Sequence, residues 1–479
     1  MSQWSGEPAA ESGVEARSEG IVSRIVHGLL WLGGVGVVLL MAYTVALEVG
    51  LGDRAPVALG SASFDVAVIY PDPGLWNEFR RGVEVCRDRG LVELTVENGD
   101  VLIVQTPVHR RSIRFRFEEA RGLRETREET LRIAGRSPPS IAMIGSSNTV
   151  LTVAIAEALG SLRPGSVPAS PVLLIPWASA VLVPAELPGE APTPLLKLAP
   201  DRSFRFCLNN QYQADLAVGG LREWERGRTP RRALIVEDRD DPFSVDLAGC
   251  FQRAVEAVAP DAEIVQRSIS PGVFPPRLST GLPGPTEDVL AASICREADA
   301  SGDAEATTWV FLPLQDEPTR RFLLALQRES RRGTSIRVVC GDTIGEEALS
   351  EFAGRAPFPI FCVSSTSPSH VVPDASTDAL IPAEIIATLA HCLDVPATTK
   401  VDADVLRESI AHLALSAESP AALGRSLAFR KSGERDGDDL GRVLMVVPER
   451  AEVLATSRGP GGQWSPPSAI RVQARMTSP

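Results

Sequence analysis

The chain has 479 residues, enough for two or three domains with large hydrophobic cores. Its 44% hydrophobic and 23% charged residues exclude a fully disordered, collagen-like or disulfide-scaffold protein. A formal net charge of -13 argues against a nucleic-acid-binding surface, so no nucleic acid is expected among its partners.

Residues 1–27 form a polar leader carrying Glu7, Glu11, Glu15 and Glu19. The next 20 residues, 28–47, hold no charge. At 1.5 Å per residue such a run crosses the ~30 Å hydrocarbon core. Trp31 and Tyr43 lie near its ends, where amphipathic rings favour the interface. A cleaved signal peptide is the competing reading, but its apolar region is usually shorter and follows a short basic start. The expectation is an uncleaved single-pass anchor at 28–48 in the cytoplasmic membrane. Arg17 and Arg24 before it place the N-terminus in the cytoplasm and the large domain outside, in the periplasm. Residues 49–63 read as a linker.

Strand and helix then alternate. Nearly continuous apolar, β-branched runs at 64–70, 141–145, 172–176, 233–236, 308–312, 336–341 and 360–363 have the pattern of parallel strands covered on both faces. Amphipathic stretches at 76–89, 149–159, 211–226, 245–258, 285–298, 317–329 and 344–352 read as the helices between them. Within 317–329, Pro318 suits a first helical turn, and Phe322, Leu323 and Leu326 make an apolar stripe. Such repetition implies doubly wound sheets, and seven or more strands suit two lobes better than one. Residues 92–117 break the rhythm and read as two or three antiparallel strands turning at Asn98-Gly99-Asp100, a place where a protein partner could dock. Two late helices, at 382–393 and 403–415, precede an expected hairpin of 427–430 with 442–447. Residues 449–479 mix Pro, Gly and Ser and read as a disordered tail.

No enzymatic signature emerges. The five histidines include no pair at metal spacing, and HExxH, GxSxG and GxxxxGK motifs are absent from the sequence. Ser364 and His370 crowd one stretch, which is not a catalytic geometry. The acidic run 434–439 lacks calcium-loop spacing. Seven cysteines stand singly, without a CxxC. No catalytic residue, metal or cofactor is expected.

Several segments, taken in order, carry a resemblance. They are Ile141-Ala-Met-Ile-Gly145 followed by Ser146-Ser-Asn-Thr149, Leu174-Ile-Pro-Trp-Ala-Ser179, Ser203-Phe-Arg-Phe206 before Asn209-Asn-Gln-Tyr-Gln213, Ala233-Leu-Ile-Val-Glu-Asp238 with Pro242-Phe-Ser244, and Val339-Cys-Gly-Asp342. From about residue 64 to 447 the chain resembles type I periplasmic solute-binding proteins, in the leucine/isoleucine/valine-binding branch. The resemblance implies two Rossmann-like α/β lobes with a hinge: lobe 1 at 64–208 plus 371–448, and lobe 2 at 209–370. It further implies capture of a small polar or carboxylate-bearing, amino-acid-like solute by hinge closure, beside an ABC transporter permease. In open α/β sheets, ligands bind beyond the carboxyl ends of strands, where helix N-termini present free N–H groups. Thr149 and Ser179 would offer hydroxyls to a carboxylate there, although capping by Ser147 or Asn148 explains the same residues. By position, the partners for a ligand's ammonium group fall near Asn210 and Asp342. Asn210 is neutral, so one expected charge is missing, and Asp342 reads equally well as a helix cap. Trp76, Trp177 and Phe243 could supply apolar walls, as could any buried aromatic. Two alternatives stay open: an envelope scaffold or regulator that kept the fold and binds a protein or polymer, and a two-lobed glycosyltransferase-like enzyme.

Overall fold

The computed structural model describes residues 63–162, 170–184, 191–269, 286–300, 307–330, 335–365, 377–436, 441–448, 450–458 and 463–470. The expected anchor at 28–48 lies outside them. Among the described residues no helix is long and apolar enough to cross a membrane.

The first lobe opens with β1 (Ser63–Tyr70), α1 (Pro73–Asp88), β2 (Glu93–Asn98), β3 (Val101–Gln105), β4 (Ser112–Glu119) and α2 (Leu123–Ala134). It continues through β5 (Ala142–Gly145), α3 (Thr149–Gly160), β6 (Val172–Ile175), β7 (Leu182–Val183), β8 (Thr193–Pro194) and β9 (Ser203–Arg205). The second lobe holds α4 (Asn210–Trp224), β10 (Arg232–Asp238), α5 (Pro242–Val258), β11 (Glu263–Ile269), α6 (Glu287–Ala300) and β12 (Thr308–Leu312). It goes on with α7 (Asp316–Glu329), β13 (Ile336–Cys340), α8 (Glu346–Ser350) and β14 (Ile360–Ser365). The chain then returns to lobe 1 for α9 (Thr377–Leu393), α10 (Ala403–Ala411), β15 (Ala414–Leu415), β16 (Leu427–Phe429) and β17 (Arg435–Asp436). It ends in lobe 2 with β18 (Gly441–Val446), β19 (Val453–Ser457) and β20 (Ser468–Ala469).

The lobe 1 sheet has the order β2-β3-β4-β1-β5-β6-β9. β1 is buried on both faces because its side chains alternate between two cores. Phe64, Val66, Val68 and Tyr70 join residues of α1 and α9, whereas Ala67 and Ile69 meet Ile133 of α2 and Ile155 of α3. Each fully buried large apolar side chain there contributes roughly 1.5–3 kcal/mol. The antiparallel strands expected at 92–117 form as β2, β3 and β4. They are not an appendage: β4 runs parallel to β1 over eight residue pairs and continues the main sheet. Gly99 takes φ +48° in the β2–β3 turn, a region favourable to glycine. The returning helix α9 docks on α1 at Gly82, where a Cβ would come within 2.9 Å of the Ala383 backbone nitrogen.

Lobe 1 also buries charge. Glu384 on α9 is fully enclosed, with Arg425 Nη2 and Arg435 Nη1 each 2.6 Å from its Oε2. Arg425 Nε donates to Oε1 at 2.8 Å and Arg435 Nη2 at 3.2 Å, so both oxygens are engaged twice. Burial alone would raise the Glu384 pKa, but the two guanidinium groups more than offset it and hold the carboxyl below its ordinary value.

The lobe 2 sheet has the order β11-β10-β12-β13-β14-β18-β19-β20. Two expectations are corrected here. The hairpin of 427–430 with 442–447 does not form. β16 pairs instead with β15 and β17, while β18 lies antiparallel to β14 from Ile360↔Val446 to Ser365↔Gly441. Residues 441–446 therefore belong to the second lobe, because their apolar side chains Val443, Leu444 and Met445 fill its two cores. The tail expected to be disordered adds β19 beside β18, and Trp464 lies against α4, within 3.0 Å of a Cβ built on Gly219.

Candidate functional site

The parallel order of each sheet fixes where a crevice can open. In lobe 1 the chain leaves β1 for β4 on one side and reaches β5 on the other, so the loops after β1 and β5 diverge at their carboxyl ends. In lobe 2 the same reversal falls between β10 and β12. The segment from β9 to α4 joins the lobes, and beside it the loop after β6 meets α4 and α5 in a seam.

Thr149 is the first residue of α3 and is 2% exposed. Asn148 provides the cap, its Oδ1 accepting from the Leu151 N–H at 3.0 Å. Thr152 completes the turn: its hydroxyl donates to the Asn148 carbonyl and accepts from the Ser146 N–H. The capping work thus falls to Asn148 and Thr152, and α3 packs on α5 of the other lobe. Ser179 follows β6 and is buried. Its carbonyl accepts from the Asn210 N–H at 2.9 Å and from Arg205 Nη1 at 3.2 Å. Trp177 is half-buried beside Tyr70, with ring centroids 5.3 Å apart. The Tyr70 hydroxyl is buried and has no hydrogen-bond partner among the described residues.

Trp76 is placed elsewhere. Its ring stacks between Phe79 and Phe117, and its indole N–H donates to the Gly99 carbonyl at 2.9 Å. The expected cleft wall is a core residue that pins the β2–β3 turn, because its one polar atom is spent inside lobe 1.

Asn210 opens α4 and is fully buried. Its Nδ2 donates to the Phe243 carbonyl at 3.2 Å and to Asp246 Oδ2 at 2.9 Å. Asn210 thus pairs with a carboxylate, that of Asp246 on α5. That carboxylate reaches across the seam, accepting from the Val181 and Leu182 N–H groups of lobe 1 at 2.7 and 3.0 Å. Burial raises the Asp246 pKa, while these bonds and the charge of Arg205 oppose the rise. Phe243 is 4% exposed and sits in the lobe 2 core.

Asp342, at the end of β13, is half-buried, and its N–H donates to Gln213 Oε1 at 3.2 Å. It does not cap α8, whose N-cap position is Gly345. Burial pushes its carboxyl up to about 6, against the opposing hydrogen bond from Gln213. Cys207 lies on the joining segment. Burial pushes its thiol up to about 12; Arg205 opposes this, and the charges of Asp342 and Glu434 add to it.

The structure thus gathers Ser179, Asn210, Phe243 and Asp342 around one seam and sets Thr149 on the helix that packs beside it. Sequence reasoning missed three members: Arg205, Gln213 and Asp246. Arg205 is fully buried and pairs with Glu434 Oε1 at 3.2 Å. An arginine between phenylalanines at 204 and 206, and a lone aspartate in the apolar run 242–251, were the available signals. Among the described residues no group of three or more His, Cys, Asp or Glu side chains is arranged to hold a metal.

No protein-family model matches the sequence, and no curated protein matches it. Solved structures do. An ABC transporter substrate-binding protein from Desulfitobacterium hafniense, in complex with Leu, is 15% identical with a TM-score of 0.56; the match covers 82% of this chain and 100% of that one. A leucine-binding protein from Thermotoga maritima is 13% identical at TM-score 0.54, covering 81% and 97%. A solute-binding protein of an ABC transporter from Rhodopseudomonas palustris, in complex with 3,4-dihydroxybenzoic acid, is 13% identical at TM-score 0.55, covering 85% and 96%. At such identities the likeness establishes the fold, the two-lobed α/β architecture of a type I periplasmic binding protein.

Proposed function

We propose that this protein captures a small polar or carboxylate-bearing solute between its two lobes, outside the cytoplasmic membrane, as a binding protein and not an enzyme. The observation that supports this most is the seam itself, where the loop after β6 and helix α3 of lobe 1 meet α4 and α5 of lobe 2. The N-terminus of α3 and the hydroxyls of Thr149 and Ser179 would hold a carboxylate, as N–H groups at a helix start favour an anion. Leu and 3,4-dihydroxybenzoic acid, bound by two of the similar proteins, both carry that group. Trp177 beside Tyr70 would wall an apolar or aromatic body, with Asn210, Phe243 and Asp342 on the lobe 2 side. Residues 28–48 would tether the domain next to a permease; carbonate extraction of membranes and protease protection of the N-terminus test this directly.

The binding reading is tested by thermal unfolding of the full-length protein in detergent against amino acids, carboxylates, amides and aromatic acids. A ligand at 100 times its Kd adds about 2.7 kcal/mol. A stabilising ligand whose effect disappears in Thr149→Ala or Ser179→Ala is the expected result. Stabilisation that survives both substitutions would move the site away from this seam.

The second reading, an envelope scaffold or regulator, is favoured by one observation, the Asp246 carboxylate that already joins the lobes. If scattering profiles are the same with and without every ligand tried, the lobes are fixed and this reading gains.

A further inference from the structure

Two of the seven cysteines are brought together inside lobe 2. Cys340 ends β13 and Cys362 lies in β14; the strands run parallel, with Cys340 and Cys362 as register partners. Partners on neighbouring strands point to the same face of a sheet. Both side chains accordingly enter one core, with Val338, Phe352, Phe358 and Leu444, and both are 0% exposed. Neighbouring strands lie about 4.7–4.9 Å apart, within the roughly 4.4–6.8 Å that a disulfide allows between Cα atoms. Burial pushes the Cys362 thiol well above its ordinary value, and the hydrogen bond and charge of Cys340 add to the rise, so the two thiols interact directly. Both are free thiols in the structure, and among the described residues no other two cysteines share a strand register.

We propose that Cys340 and Cys362 are a disulfide-forming pair that staples β13 to β14. For the bond to be present in the cell, this rests on the reading that places both lobes outside the membrane, where disulfides persist; in the cytoplasm they are rare. The oxidant is another disulfide, small or protein-borne. One cysteine thiolate attacks it and releases a thiol, and the second thiolate attacks the mixed disulfide and releases the other thiol. Two protons and two electrons pass to the oxidant, and one S–S bond forms for the one broken. Burial keeps both thiols covered in the finished fold, so exchange belongs to folding, before the core closes over them. Parallel partners hold their Cβ atoms at the wide end of the disulfide range, so the bond draws the strands slightly together and is more easily reduced than a relaxed one. It would tie the strand that ends two residues before Asp342 to the strand by which the chain leaves lobe 2.

The test is peptide mapping of the full-length protein, extracted from membranes with its free thiols blocked by N-ethylmaleimide at lysis. The expected result is a linked peptide joining Cys340 to Cys362 that reduction splits. Cys362→Ala should abolish that peptide and leave Cys340 alkylated; the wild-type map decides by itself should this variant fail to fold. Protease protection on the same membranes reports which side the domain occupies. Both cysteines alkylated in a domain outside the membrane overturn the pair and leave the location standing. A domain found in the cytoplasm overturns the location, and the pair is then decided by refolding the reduced full-length protein from urea, in detergent with oxidised glutathione. A Cys340–Cys362 peptide as the main linkage supports the pair. Alkylated thiols at both positions, or a different pairing, overturn it.

Discussion

In lobe 1, the Glu384 carboxylate is enclosed by Arg425 and Arg435, and both of its oxygens accept two bonds. At the seam, Asn210 and Arg205 are buried as deeply, and each has one atom, as Arg435 has its Nε, without a partner among the described residues. The contrast separates two uses of buried polarity. The Glu384 cluster, with both carboxylate oxygens engaged, fixes one packing of α9 against the β15–β17 sheet, at the cost of desolvating three charges. At the seam the bonds run between the lobes instead, from the Asn210 N–H to the Ser179 carbonyl and from the Val181 and Leu182 N–H groups to Asp246. Asp246 stands between the cases, since it is satisfied only while the lobes are together.

The sharpest way to break the comparison is Glu384→Gln. It leaves two buried guanidinium groups without a counter-charge, so a loss of about 3–5 kcal/mol is expected in denaturant unfolding. The wild-type carboxyl is held low in the folded state. Its contribution is therefore present above the unfolded pKa of about 4.3 and disappears as pH falls through the folded value. The variant should lack that acid-side loss. A stability change within about 0.5 kcal/mol would show that the cluster does not hold α9 in place. Asp246→Ala comes next, with about 1.5–3 kcal/mol lost, because it removes charge-assisted bonds to two lobe 1 N–H groups and to Asn210. Small-angle scattering should report a larger radius of gyration as the lobes part; an unchanged profile would mean that apolar packing such as that of α3 on α5 holds them instead.

Asp342 predicts a smaller effect of opposite sign. Its folded pKa of about 6 lies above the ordinary aspartate value, so the folded state binds the proton more tightly. Stability from this group therefore falls as pH rises from about 4 to about 6, and the penalty is complete above that window. Asp342→Asn should flatten part of this slope in melting curves. Only part, because burial also pushes Asp238 up to about 6 in the same lobe, helped by the charges of Asp241, Asp240 and Glu237. Identical slopes in wild type and variant would place Asp342 in solvent.

What the sequence made legible follows the range of the signal. The runs 64–70, 233–236 and 336–341 reveal their strands because burial on both faces writes itself into consecutive apolar residues. The helix at 317–329 is visible from its proline and apolar stripe. The hairpin was misassigned because nothing local in 442–447 distinguishes β16 from β14 as a partner; that choice is made across about 80 residues, by which core accepts Val443 and Met445. At the seam, strand–helix junctions made Thr149 and Ser179 legible as candidates, whereas Asn210 and Asp342 came only with the resemblance. Asp246 was not, since a single acid on a helix looks solvated until the neighbouring lobe supplies the N–H groups it accepts.

The smallest predicted effect decides how α3 is used. Asn148→Ala removes the bond to the Leu151 N–H and should cost about 1 kcal/mol of stability, the ordinary worth of a cap. Thr152 would still brace the turn through Ser146 and the Asn148 carbonyl, so the helix start should keep its place. If the first turn of α3 serves the solute through Thr149, Asn148→Ala should lower the melting temperature and leave the Kd of any solute found within about 2-fold, whereas Thr149→Ala should weaken binding with little loss of stability. Equal damage to both properties by both variants would mean that cap and contact are one mechanical unit, and that the α3 N-terminus acts on the solute through backbone position instead of the Thr149 hydroxyl.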